Sequence, residues 1–82
     1  MFCDYNISLK KDLGNRVEVI AYMSEGEYQT IGDEQVYVRT NRIGQVRLLF
    51  EKNPVSHEEI KRELKRALED IKGSREIIPE CL

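Results

Sequence analysis

Asn53-Pro54-Val55-Ser56-His57-Glu58-Glu59-Ile60 is where the chain changes character, and its reading decides the fold. Pro54 has no N–H to give a sheet ladder and biases Asn53 toward an extended conformation, so the preceding strand must end there. Ser56 and Glu59 stand in capping-box spacing, each side chain placed to satisfy a backbone donor of the other. Val55 before the cap and Ile60 in the following turn complete a hydrophobic staple. The helix that starts here is predicted to run to about Lys72, with Gly73 in the left-handed position that ends it.

Within that helix the apolar residues form one narrow stripe, Ile60, Leu64, Ala67, Leu68 and Ile71, at spacings of three and four. Nearly every other position is charged. Glu58–Arg62, Lys65–Glu69 and Arg66–Asp70 are opposite charges four apart, worth about 0.2–0.5 kcal/mol each. The helix therefore lays one side on a partner layer and leaves the rest in water.

Upstream of Asn53 the period is two rather than 3.6. Phe2 to Lys10 alternates, with Cys3, Tyr5, Ile7 and Leu9 on one side, which marks a half-buried strand. Lys11-Asp12-Leu13-Gly14-Asn15 is hairpin chemistry. A second strand follows from Arg16 to Met23, with Val17, Val19, Ala21 and Met23 inward. Ser24-Glu25-Gly26 reads as a turn, Glu27 to Ile31 as a short strand and Gly32-Asp33-Glu34 as another break. Gln35 to Thr40 is a strand with Val36 and Val38 inward. Asn41-Arg42-Ile43-Gly44 reads as a hairpin turn. The last strand, Gln45 to Lys52, puts Val46, Leu48 and Phe50 on one face.

These elements predict an α+β fold in ββββα order: an antiparallel sheet of four or five strands with one C-terminal helix packed on one face. The expected core is Tyr5, Ile7, Leu9, Val17, Val19, Val36, Val38, Val46, Leu48 and Phe50 against Ile60, Leu64, Leu68 and Ile71. Residues 1–73 read as a single domain and 74–82 as a C-terminal tail whose Ile77-Ile78 pair is apolar enough to dock. At 82 residues, folding buries roughly 60% of the extended surface, enough for a two-layer core.

Composition narrows the function classes. The chain is 40% apolar and 34% charged with a net charge of −2, which does not fit a disordered segment. No apolar run approaches the roughly 18 residues of a membrane span, and Met1-Phe2-Cys3-Asp4 does not open a signal peptide. A cytoplasmic protein without membrane contact is expected. The charge is uneven: residues 1–34 hold seven acids against Lys10, Lys11 and Arg16, whereas residues 35–50 hold Arg39, Arg42 and Arg47 and no acid. No global field steers the chain onto nucleic acid, although a local basic surface survives.

The residues that could carry chemistry are sparse. His57 is the sole imidazole, at a helix start whose dipole disfavours protonation, and no second histidine completes a zinc site. Cys3 and Cys81 lie at the two ends without metal-ligand or redox-motif spacing, and read as free thiols in a reducing compartment. The glycines form no phosphate loop. No enzyme, cofactor, metal or small-molecule substrate is expected.

The outer sheet face is the informative surface. It presents Ile20, Tyr22, Tyr37 and Leu49 among arginines, and a single helix can cover only the opposite face. An uncovered apolar patch marks an interface. The expectation is a small non-catalytic interaction or regulatory module, a homodimer or one that binds another protein. The alternative is single-stranded nucleic acid, with Tyr22 and Tyr37 stacking bases while Arg16, Arg39, Arg42 and Arg47 hold phosphates.

Overall fold

A computed structural model describes residues 1–82 and arranges them as three long strands, a helix and a short closing strand. β1 is Phe2–Asp12, β2 Val17–Ile31, β3 Glu34–Phe50, α1 His57–Lys72 and β4 Glu76–Ile77, followed by a 3-10 turn at Pro79–Cys81. The class is α+β with one C-terminal helix. The sheet order is β3-β2-β1-β4. β1–β2 and β2–β3 are antiparallel hairpins, but β4 pairs parallel with β1, matching Phe2 to Glu76 and Cys3 to Ile77. The sheet is thus mixed rather than purely antiparallel. The parallel partner comes from the tail, which α1 carries across the sheet to the far edge.

Two expected turns are not turns. Ser24-Glu25-Gly26 runs straight through β2, and Asn41-Arg42-Ile43-Gly44 runs through β3. Register shifts fall between Met23 and Ser24 and between Glu25 and Gly26, so Ile43 and Thr40 are extra residues on β3. Turn-forming residues inside a continuous pair mark bulges, which bend the ribbon without ending it. The real reversal is at Gly32-Asp33.

The helix begins and ends where its sequence signals place it. The Ser56 hydroxyl accepts the Glu59 backbone N–H at 3.2 Å. The reciprocal half of the box is missing, because the Glu59 carboxylate takes Lys52 at 2.8 Å and Arg62 at 3.7 Å instead. Val55 and Ile60 are both buried, and Gly73 follows the last turn at φ +57°. The ion pairs along the helix differ from the expected ones: Glu59–Arg62, Glu63–Arg66 and Glu69–Lys72 close at i,i+3, not at i,i+4.

The core is smaller than expected. Ile60, Leu64 and Leu68 press on Cys3, Val17, Val19, Ala21, Met23 and Val46, with Tyr5, Leu48, Phe50 and Ile71 partly buried around them. Gly44 makes this contact close, because a Cβ there would lie 2.9 Å from Ile71 Cγ2. Four expected core residues fall outside. Val36 and Val38 occupy the helix side of the β2–β3 ribbon but beyond the helix, whose 16 residues reach only about 24 Å; Val36 is 39% exposed. Ile7 lies on the β1 edge that β4 leaves uncovered, and is exposed. Leu9 has changed face. β1 matches Ile7 to Ala21 but Leu9 to Ile20, so Ser8 is an extra residue and the alternation inverts after it.

The tail covers the start of the β1 edge. Ile78 is buried, and its N–H bonds to the Cys3 carbonyl at 2.9 Å. The Tyr5 hydroxyl donates to the Cys81 carbonyl at 3.0 Å, the Tyr28 hydroxyl lies 3.4 Å from Glu80, and Lys61 reaches the Leu82 carbonyl. At the other end Asn53 bridges Asp12 and the Gly14 carbonyl, at 2.9 and 2.7 Å.

Candidate interaction surface

The face opposite α1 is built by alternation along three strands. From β2 it takes Glu18, Ile20, Tyr22, Ser24, Gly26 and Tyr28, the residues between those that form the core. β3 supplies Leu49, Arg47, Gln45, Arg42, Arg39 and Tyr37, their register carried past the two bulges. From β1 come Phe2, Asp4 and Asn6 and, after the Ser8 bulge, Leu9.

Ile20, Tyr22, Tyr37 and Leu49 therefore share one face, but not one environment. Leu49, opposite Glu18, is 49% exposed, and Leu9, opposite Ile20, is 42% exposed. These two leucines and the half-buried Ile20 share this end of the face with the Glu18–Arg47 ion pair. Tyr22 is half-buried with the Arg42 guanidinium 3.9 Å above its ring.

Tyr37 is engaged within the chain. Phe2, Tyr28 and Tyr37 stack edge to face, with centroids 5.1 and 5.8 Å apart. The Tyr37 ring covers Gly26, where a Cβ would lie 2.7 Å from Cζ, so only glycine leaves it room. Its hydroxyl donates to the Ser24 carbonyl at 3.3 Å. Burial, then the neighbouring Asp4 carboxylate, pushes its pKa up to about 12.

Asp4 is the residue that sequence reasoning missed. It sits at a polar, outward position of β1, yet it is only 4% exposed. Arg39 grips its Oδ2 with Nε at 2.7 Å and Nη2 at 2.6 Å, and Oδ1 has no partner. The sequence held one clue: Arg39 is the arginine nearest a run of aromatic and β-branched residues, Val36-Tyr37-Val38. Nothing in it located the bend that folds this run over Asp4.

The other arginines are also occupied. Arg47 pairs with Glu18 at 2.5 Å and Arg16 with Glu51 at 3.0 Å. With Arg42 on Tyr22, all four arginines expected to hold phosphate have partners within the chain. His57 is exposed on the first turn of α1. Cys3 and Cys81 are free thiols, both pushed above the usual range by burial. A cleft of about 540 Å³ opens beside the bend, lined by Met1, Phe2, Glu25, Gly26, Glu27, Tyr28 and Thr40. No helix is long and apolar enough to cross a membrane. Comparison with known proteins found no matching family model, no matching curated protein and no matching solved structure.

Proposed function

We propose that this protein is a small non-catalytic interaction module that forms a homodimer through the helix-free face of its sheet. The observation that carries this reading is the Ser8 bulge. Strict alternation would send Leu9 toward the helix with Cys3 and Tyr5; the extra residue turns it out opposite Ile20, onto the face that also carries the exposed Leu49. Bulges re-aim side chains in this way, and an apolar cluster left in water gains by covering itself. A symmetric dimer is the simplest cover, since it applies one patch to its own copy.

Supporting the non-catalytic part, both thiols are poor nucleophiles, their pKa values raised by burial. Two unbonded cysteines suit a reducing compartment, here the cytoplasm. The nucleic-acid alternative draws less support, because the charge that would meet phosphate is already neutralised by Asp4, Glu18 and Glu51.

Sedimentation equilibrium across micromolar concentrations tests the proposal. Wild-type protein should dimerise, and Leu49→Lys should shift it to monomer with its unfolding transition intact. A wild-type monomer throughout the range rejects the proposal. So does a dimer that tolerates Leu49→Lys and Leu9→Lys together.

A further inference from the structure

β3 is an edge strand along its whole length, because the sheet order β3-β2-β1-β4 gives it one neighbour. Open edges invite other chains unless charge, proline or a bulge blunts them. Over most of β3 they are blunted: Thr40 and Ile43 are its two extra residues, and Arg39, Arg42 and Arg47 stand along the same stretch. From Glu34 to Val38 the pairing with β2 is regular, with no lysine, arginine, proline or extra residue. These residues belong to the arm, the ribbon of residues 27–31 and 34–38 that reaches past both the helix and the start of β1.

Ile31 and Glu34 flank the two-residue turn Gly32-Asp33, so Glu34 bonds back to Ile31. That direction repeats at every second residue. Glu34, Val36 and Val38 therefore turn their backbone groups to β2, and the N–H and C=O of Gln35 and Tyr37 point out of the edge. No turn, loop or tail backbone bonds to them. The side chains of Glu34, Val36 and Val38 share the helix side beyond the end of α1, and Val36 is 39% exposed. Residues 26–38 contain no lysine or arginine, and their acids, Glu27, Asp33 and Glu34, form no ion pair.

We infer that the Glu34–Val38 edge takes a basic, extended segment of another protein as an added antiparallel strand. Main-chain bonds to Gln35 and Tyr37 hold the segment, and its alternate side chains set the specificity. A lysine or arginine falls beside Glu34, and apolar residues two and four positions before it fall beside Val36 and Val38. A second copy of this chain fits less well, because it brings together two arms that carry unpaired acids and no cation. The added strand also supports the arm, since a lone two-stranded ribbon is marginal in water. The edge lies beyond Thr40, apart from Leu9, Ile20 and Leu49, so a segment can bind here whether or not the sheet face dimerises.

Fluorescence anisotropy with a labelled, terminally blocked pentapeptide tests this. The probe carries valine at its first and third positions, threonine at its second and fourth, and lysine at its fifth. Glutamate in place of that lysine should weaken binding about tenfold, and Glu34→Lys should reverse the preference between the two peptides. Methylating the two threonine amides, which face Gln35 and Tyr37, should abolish binding. Gln35→Pro removes one outward N–H and no ladder bond, and should weaken binding about tenfold. Helical circular dichroism checks that each variant folds, and sedimentation of the same samples reports the dimer separately. No binding of the lysine peptide at millimolar concentration overturns the inference. Binding that survives both the methylation and Gln35→Pro also overturns it, since charge attraction alone would then account for it. Self-association that Gln35→Pro abolishes overturns it in favour of a second copy at the edge. A wild-type monomer that binds the lysine peptide as described removes the dimer and upholds the edge.

Discussion

Asp4 shows how a single residue can be misread from its neighbours. Its place in the alternation puts it in water, and the protein instead buries it under Arg39 and Tyr37. A carboxylate out of water needs its charge matched, and Arg39, half-exposed itself, supplies two bonds to one oxygen. Asp4→Asn keeps the shape and removes the charge; it should lower unfolding stability by about 1–3 kcal/mol. A denaturant midpoint unchanged from wild type would mean that the pair contributes nothing net. The phenol beside it gives a pH test. Folded Tyr37 keeps its proton to about pH 12, whereas an ordinary tyrosine releases it at 10.0. The folded state then binds more protons than the unfolded one, so stability is full below pH 10.0 and declines as pH climbs toward 12. Ultraviolet titration should find one phenol ionising last, and Tyr37→Phe should remove that step and flatten part of the decline.

Among the elements, the helix was the most legible in the sequence and the ribbon the least. Ser56, Val55 and Ile60 act within one turn of one another, so local spacing decides what they do, whereas the Glu59 side chain is drawn from its expected cap to Lys52 and Arg62. Val17, Val19, Ala21 and Met23 were legible for a similar reason: an unbroken period of two needs no knowledge of the partner strand. Leu9 and Val36 were not legible. The first depends on one extra residue at Ser8, invisible until β1 is set against β2. The second depends on how far a helix reaches along strands that the sequence made look shorter. Stability measurements can separate the two kinds of position. Leu64→Ala should cost about 2–5 kcal/mol, and Val36→Ala, on the arm of β2 and β3 that extends past the helix, less than about 0.5 kcal/mol in dilute protein. Equal losses would place Val36 in the core after all.

At the scale of the whole molecule the arm dominates the shape. The radius of gyration is 14.3 Å, against about 12 Å for a compact chain of this length. Small-angle scattering from dilute protein should record that elongation; a curve fitting a sphere would mean that the arm folds back on the body. The parallel strand adds a constraint of a different sort. β4 borders β1, so the Cys3 thiol meets the Glu76 carbonyl across 73 positions of sequence. Residues 76–78 are synthesised long after Phe2 and Cys3, so the start of the first strand waits for its parallel neighbour during translation. Until it arrives, Phe2 and Cys3 present bare amides and carbonyls to any neighbouring chain, and mispairing is most dangerous there.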